Sequence, residues 1–317
     1  MPSPSAASQA VVSRYDSSMR LYYTDQFVLP LPDGHTFPMS KYRLLRERVL
    51  ASGLVSPDSL IVPNAATDSQ LALAHDTDYI AAMSAGTVGE QAMKRIGFPW
   101  SPLLVERSRR SAGATTQACR SALADGYSVN LAGGTHHAFQ DHGEGYCLFN
   151  DSVIASRVLQ SEDLIRRVVV IDLDVHQGNG TAAICRDDPS IYTFSMHGAK
   201  NYPLQKEQSD LDIELPDGTT DEPYLEALAK GLRQSINKAR PNLAIFLAGS
   251  DPFEGDRLGR LKLTKTGLAE RDRMVFEAVR VAGLPLVVTM AGGYAKDVND
   301  TVDIHWQTVR QAIEAAS

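Results

Sequence analysis

The sequence predicts a single-domain α/β protein: a mostly parallel central sheet, helices on both faces, and a site at the carboxyl ends of the strands. Three observations predict it. Apolar, β-rich runs alternate with helical patterns along the chain. The strand runs are continuously apolar, as strands buried on both faces read, which argues for a parallel sheet under two layers of helix. Strand after strand then ends in glycine beside chemically capable residues, where ligands bind in open α/β sheets.

In chain order the pattern gives a strand over 21–28, a helix over 40–50, and a long helix over 102–124 that leads into a strand over 128–132. A helix over 151–159 precedes the central apolar run, a strand over 168–174, and a further strand covers 191–196. The remainder reads as helix 224–238, strand 243–249, helix 269–281, strand 286–290 and helix 298–315. At 317 residues the chain can bury one large core, and no linker interrupts its middle. Residues 1–18 are small and polar, without the apolar stretch of a secretory signal, and read as a disordered tail. That leaves 19–317 as one domain.

Hydrophobic residues at 43% and charged residues at 22% describe an ordinary globular protein. The net charge of −7 disfavours nucleic acid as a direct partner, and no apolar run approaches the ~20 residues that span a bilayer. Cys119, Cys147 and Cys185 are widely spaced, with no CxxC pair, so reduced thiols and a cytoplasmic location are expected.

The most informative stretch is Ile171-Asp172-Leu173-Asp174-Val175-His176, with acid, acid and histidine at every second position. In extended chain these three share one side, and Leu173 and Val175 face the other. Val168-Val169-Val170 before it and Gly178-Asn179-Gly180 after it read as a buried strand closing in a tight loop. Buried carboxylates are costly without a compensating cation, and a metal site accounts for them. A lone Asp-x-His is more often a surface acid beside a satisfied histidine. Four other strand ends strengthen the reading: Gly133-Gly134-Thr135-His136-His137, Ser195-Met196-His197, Gly249-Ser250-Asp251 and Ala291-Gly292-Gly293-Tyr294.

Asp174, His176 and Asp251 supply two oxygens and a nitrogen, a three-ligand set for Zn²⁺ with an open fourth position. Asp251 taken alone reads more readily as a turn or helix-capping aspartate than as a ligand. Its neighbour Pro252 biases it toward extended backbone. His136 and His137 read as acid–base groups, with Asp172 the natural partner for one of them. Tyr294, after a Gly-Gly turn, is placed like an oxyanion donor; its alternative is a tyrosine anchoring a loop.

These residues, with Gly145-Tyr146-Cys147-Leu148-Phe149-Asn150-Asp151, Gln177-Gly178-Asn179-Gly180 and Glu254-Gly255-Asp256-Arg257-Leu258-Gly259, resemble the histone deacetylase superfamily, in its order from about residue 20 to about 310. Gln177, Asn179 and the Glu254-to-Gly259 run resemble the class IV branch and its bacterial relatives. The resemblance implies an arginase/deacetylase-type fold and zinc-dependent removal of acyl groups, acetyl or longer, from lysine side chains of proteins. It implies Asp174, His176 and Asp251 as zinc ligands, His137 as general base, and His136 as a partner histidine paired with Asp172. It further implies Tyr294 as the carbonyl-polarising phenol, Gly145 and Tyr146 as one wall of an acyl-lysine tunnel, Tyr202 as the opposite wall, and Gly293 as a substrate contact. Asp172, Asp174, His176 and Ser195 fall where the family often holds a structural potassium ion. His75-Asp76-Thr77-Asp78-Tyr79 resembles a recurrent family segment of unassigned role.

Two departures stand out. Many relatives carry aspartate where Asn179 stands, so His137 would be oriented by a neutral amide. Pro252 directly follows the metal aspartate, and no rim acid that grips a substrate backbone is identified. The first alternative function is the same chemistry on acetylated polyamines or other small acylated amines, which a narrow, acid-lined entrance would favour. A catalytically silent acyl-lysine-binding scaffold is the alternative from another class, although such a chain would be expected to lose Tyr294, a histidine or a ligand. A binuclear manganese, arginase-like site would need Asp-x-Asp where the chain has Asp251-Pro252-Phe253. Acyl length and oligomeric state are not written in the sequence.

Overall fold

Runs of valine, isoleucine, leucine and phenylalanine form the middle of one sheet, and their burial on both sides decides the architecture. The structure is a computed structural model and describes residues 19–316. The expected tail over 1–18 lies outside the described residues. The chain runs β1 (Leu21–Tyr22), α1 (Ser40–Ala51), β2 (Leu60–Ile61), α2 (Asp68–Leu71), α3 (Thr77–Ala85), α4 (Glu90–Ile96), α5 (Pro102–Asp125) and β3 (Tyr127–Asn130). It continues α6 (Asp151–Ser161), β4 (Val168–Asp172), α7 (Asn179–Cys185), β5 (Ile191–Gly198), β6 (Leu211–Leu215), α8 (Asp221–Ala239), β7 (Leu243–Leu247), α9 (Lys265–Val281), β8 (Leu286–Thr289) and α10 (Val298–Ala316).

The eight strands form one sheet in the order β2-β1-β3-β8-β7-β4-β5-β6. Every pairing is parallel, so all carboxyl ends lie on one edge. Successive residues of the central strands enter opposite cores, as the two-residue period of a strand requires. Val169, Ile171, Ala244, Phe246, Leu286 and Val288 join Leu45, Leu228, Val275 and Val309 from α1, α8, α9 and α10 on one face. Val168, Val170, Ile245, Leu247 and Val287 join Leu104, Ala118, Val153 and Val158 from α5 and α6 on the other. Each such valine, leucine, isoleucine or phenylalanine, removed from water, stabilises the fold by about 1.5–3 kcal/mol.

The structure departs from the expected elements where apolar patterning is thin. The strand expected over 21–28 is two residues long, because the chain turns at Thr24, whose carbonyl accepts from Phe27 N at 3.0 Å. Edge strand β6 reads Leu-Asp-Ile-Glu-Leu and is half-exposed, so no continuous apolar run announces it. The short helices α2, α3, α4 and α7 likewise carry no long amphipathic pattern. The strand expected over 168–174 ends at Asp172, although Leu173 N still donates to Leu247 O at 3.1 Å. The alternation survives beyond the strand: Leu173 and Val175 stay in the apolar core. No helix among the described residues is long and apolar enough to cross a membrane.

Candidate active site

The loops leaving β3, β4, β7 and β8 meet above the carboxyl edge of the sheet. From the β4 loop come Asp174 and His176, and from the β7 loop Asp251; one ligand atom from each lies within 4.8 Å of the others. His176 Nδ1 stands 2.9 Å from Asp174 Oδ1 and 3.3 Å from Asp251 Oδ2. Backbone donors fix both carboxylates: Gly292 N reaches Asp174 Oδ2 at 2.8 Å, and Val175 N reaches Asp251 Oδ1 at 2.9 Å. A side chain at Gly292 would run into both carboxylates, so only glycine lets the β8 loop approach them. Asp251 Oδ2 is buried with no hydrogen-bond partner among the described residues. Burial, then the Asp174 charge, pushes the Asp251 carboxyl up to about 7. Burial opposes protonation of His176, but hydrogen bonds and charge from Asp174 and Asp251 push it up to about 10. The donor set thus holds more negative charge than its surroundings balance, and two oxygens with one nitrogen fit a divalent metal.

The tandem histidines are both buried and take different partners. His136 Nδ1 meets Asp172 Oδ2 at 2.7 Å, and His137 Nδ1 meets Asn179 Oδ1 at 2.6 Å. Burial opposes the charge on His136, but Asp172 and Asp174 outweigh it and push the ring up to about 9. His137 moves the other way, well below the ordinary histidine range, because of burial and then the charges of His136 and His176. Behind them, Asp151 at the start of α6 accepts from Gly134 N at 3.0 Å and Thr135 N at 2.7 Å, which fixes the loop that carries the pair.

Tyr294 is buried, its ring 5.9 Å from that of Tyr146. Burial, then Asp174 and Asp251, hold its phenol well above its usual value, so it stays protonated. Asp256 accepts from Tyr294 N at 2.6 Å, which gives the Glu254-to-Gly259 run its part in the site. Lys41 Nζ donates to the carbonyls of Ala291 at 3.2 Å and Gly293 at 3.5 Å.

Two cavities meet at these residues. An outer cleft of about 510 Å³ and an inner cavity of about 60 Å³ share His137, Gly145, Tyr146, His176 and Tyr294 in their walls. Tyr202 lines the outer cleft, its ring perpendicular to that of His137 at 5.0 Å between centroids. Gly293 is not among the lining residues. It has φ 151° and turns the chain so that Gly292 and Tyr294 face inward. Ser195 is the register partner of Asp172, and its hydroxyl shares a hydrogen bond of 2.9 Å with His197 Nδ1.

Three residues of this neighbourhood carry no sequence signal. Glu144 lies in a polar loop, Lys41 and Arg107 in ordinary-looking helices, and only the fold brings them here. Glu144 Oε1 accepts from Asn179 Nδ2 at 2.6 Å, so the amide beside His137 is backed by a carboxylate. Arg107 lines the inner cavity, and its Nε and one terminal nitrogen have no partner among the described residues. The role of the His75 segment is also plain: His75 Nδ1 donates to Phe139 O at 2.8 Å, and its Nε2 accepts from Asn150 N at 2.9 Å. It ties the histidine loop to the cap of α6.

Comparison with known proteins agrees with this geometry. The family model described as "Histone deacetylase domain" matches residues 35–309. The chain belongs to the histone deacetylase family. It is 44% identical over 283 residues to an uncharacterized protein of Picosynechococcus sp., covering 89% of this chain and 94% of that one. It is 30% identical to Histone deacetylase 2 of Arabidopsis thaliana, covering 83% of this chain and 70% of that protein. The fold matches that of an HDAC homolog solved in complex with SAHA, with a TM-score of 0.82 at 23% identity, over 93% of this chain and 84% of that one. The family assignment makes the chain a deacetylase-type amidohydrolase and the fold an arginase/deacetylase one.

His75 predicts a pH dependence. Burial pulls its pKa down to about 4 from an ordinary 6.5, so unfolded chain binds the proton first as pH falls. Stability from the neutral buried ring is complete above about 6.5 and is lost as pH drops toward 4, by up to about 3 kcal/mol. Denaturant unfolding of wild type and His75→Gln should show a stability gap at pH 7 that shrinks by pH 4.5. A gap independent of pH would contradict this account.

Proposed function

We propose that this chain is a zinc-dependent amidohydrolase that removes acyl groups from lysine side chains of proteins. The observation that carries the reading is the convergence of Asp174, His176, His137 and Tyr294 on the same inner cavity, with Asp251 behind them. A zinc ion held by Asp174, His176 and Asp251 would polarise the amide carbonyl and lower the pKa of water. His137, its Nδ1 engaged by Asn179, offers Nε2 to take the proton of the attacking water. The Tyr294 phenol donates a hydrogen bond to the oxygen that becomes negative, and His136, held toward imidazolium by Asp172, adds positive charge beside it. Collapse breaks the C–N bond; the proton held at His137 goes to the leaving amine.

The walls support a substrate class. Lys94, Arg95, Lys200 and Arg260 line the outer cleft, with no carboxylate among the described residues that line it, though Glu90 pairs with Lys94 and Asp217 with Lys200 and Arg260. Such an entrance repels a polyamine and accepts one neutral acyl-lysine on a peptide. A cavity of about 60 Å³ behind the reacting centre suits an acetyl group rather than a long fatty chain. The Arg107 guanidinium there, stacked on Tyr42 with two nitrogens that have no partner among the described residues, is suited to the carboxylate product. Gln177 and Asn179 favour the class IV-like branch, and three buried free thiols favour a reducing cytoplasm. A potassium ion at Asp172, Asp174, His176 and Ser195 remains part of the same proposal.

A panel of acetyl-lysine peptides, long-acyl-lysine peptides and acetylpolyamines, assayed with zinc-loaded protein, tests the reading. Turnover of acetyl-lysine peptides is expected to lead; hydrolysis of polyamines alone would overturn it. Asp251→Ala should strip metal and activity together, whereas full zinc stoichiometry in that variant would remove Asp251 from the ligand set. Tyr294→Phe should lower kcat by about 10²–10³ with metal content and fold retained. Near-normal turnover would assign Tyr294 to packing.

A further inference from the structure

We infer that Glu144 is a positioning residue that sets the tautomer of His137 through Asn179. An asparagine amide has two ends of nearly equal shape and opposite function, one accepting and one donating. The end turned to His137 Nδ1 decides where that ring carries its proton. With the carbonyl facing it, Nδ1 keeps the hydrogen and Nε2 presents a lone pair to the cavity. With the NH₂ facing it, Nδ1 must accept, Nε2 bears the hydrogen, and the ring has no lone pair left to take a proton from water.

Nothing in Asn179 itself chooses between these. Glu144 does. Its carboxylate accepts only, and Oε1 lies 2.6 Å from the Asn179 nitrogen. The reversed amide would set two oxygens against each other at that distance while turning NH₂ toward His137. The forward amide gives two good bonds in series, Asn179 Nδ2 to Glu144 Oε1 and His137 Nδ1 to Asn179 Oδ1, each 2.6 Å.

The chain on either side is held firmly enough for this to matter. Glu144 O accepts from Cys147 N at 2.9 Å, and the two following residues are tied to the end of α4, Gly145 N to Arg95 O at 3.2 Å and Tyr146 N to Ile96 O at 2.7 Å. A side chain at Gly145 would strike the His137 ring, so the Glu144 loop packs directly on the imidazole it orients. Across the gap, Thr181 N donates to His136 O at 3.1 Å, which anchors the start of α7 and with it Asn179. Glu144 lines neither cavity, so it acts on the reaction only through its neighbours. One neighbour is Tyr202, whose phenol is pushed up by burial and then by hydrogen bonding and charge from the same carboxylate.

The role rests on the proposed hydrolase reading for its effect on rate, but the tautomer can be read without turnover. Nitrogen-15 spectra of histidine-labelled, metal-free protein should show His137 as the Nδ1–H form in wild type and in Glu144→Gln, whose carbonyl still accepts. In Glu144→Ala the Nε2–H form should appear. On zinc-loaded protein, Glu144→Ala should lower kcat by about 10- to 100-fold with KM little changed, the usual cost of losing an outer partner of a site residue, and Glu144→Gln should restore most of it. An unchanged tautomer in Glu144→Ala, or a Gln variant as slow as the Ala variant, would overturn the inference. Asn179→Asp supplies the second test and does not rest on the Glu144→Ala single variant. It sets two carboxylates 2.6 Å apart and should be slow, and adding Glu144→Ala should speed it up, because a carboxylate at position 179 has no donor end to misdirect. A double variant slower than Asn179→Asp would mean that Glu144 does not act through residue 179. Should wild type hydrolyse no acyl-lysine, the spectra alone still decide the Glu144 question.

Discussion

Asp172, Asp174 and Asp251 are carboxylates withdrawn from water at the ends of two adjacent strands, and much of the molecule is arranged around keeping them there. Taking a carboxylate into a protein interior costs several kcal/mol even after relaxation. Here the compensation is local and specific: His136 on Asp172, His176 beside Asp174 and Asp251, and backbone N–H groups of Asp174, His176, Val175 and Gly292 on further oxygens, with Asp251 Oδ2 left without a hydrogen bond among the described residues. Those backbone donors belong to the loops after β4 and β8. The carboxylates therefore shape the loops, and the loops immobilise the carboxylates. A parallel sheet is what makes this possible, since only there do the carboxyl ends of β4, β7 and β8 lie side by side.

The same demand reaches into the second layer. Asp151 and Asp256 are further acids turned inward, each saturated by N–H groups of the chain it holds, Gly134 and Thr135 for the first, Leu258, Gly259 and Tyr294 for the second. Lys41 reaches from α1 to the carbonyls on either side of Gly292. Catalytic-type side chains on loops are ordinarily mobile. These are pinned by groups whose own hydrogen-bond demand would be costly to leave unmet.

How much of this the sequence reveals follows from whether a residue's role is local. The runs Val168–Asp172 and Leu243–Leu247 were legible because burial on both faces leaves no room for polar residues, and the two-residue period placed Asp174 and His176 on one side even though the strand stops short of them. That Asp172 would partner one of the tandem histidines was legible from strand-end chemistry, and the family resemblance singled out His136. Edge strand β6 was not, because all its residues but Leu215 keep some contact with water. Glu144 was invisible for a different reason: its bond to Asn179 spans 35 positions and depends on how two loops cross. A neutral amide does face His137, and that bond adds a carboxylate one step behind it. An aspartate at position 179 would accordingly meet repulsion rather than simply strengthen the base.

Charge is also layered along the path through the site. The outer cleft carries Lys94, Arg95, Lys200 and Arg260; the middle carries the acidic ligand set; the inner cavity ends at Arg107, with Lys41 nearby over the Tyr294 ring at 5.4 Å. A neutral amide meets little net force on entering such a sequence of fields. The products of the proposed hydrolysis do, because one is an anion and the other a cation. In the proposed reaction the carboxylate product is drawn inward, toward the Arg107 guanidinium, whose Nε and one terminal nitrogen have no hydrogen-bond partner among the described residues, while an ammonium product is repelled by that same guanidinium. An inner wall that attracts one product and repels the other works against recombination, and it does so with a residue outside the proposed ligand set.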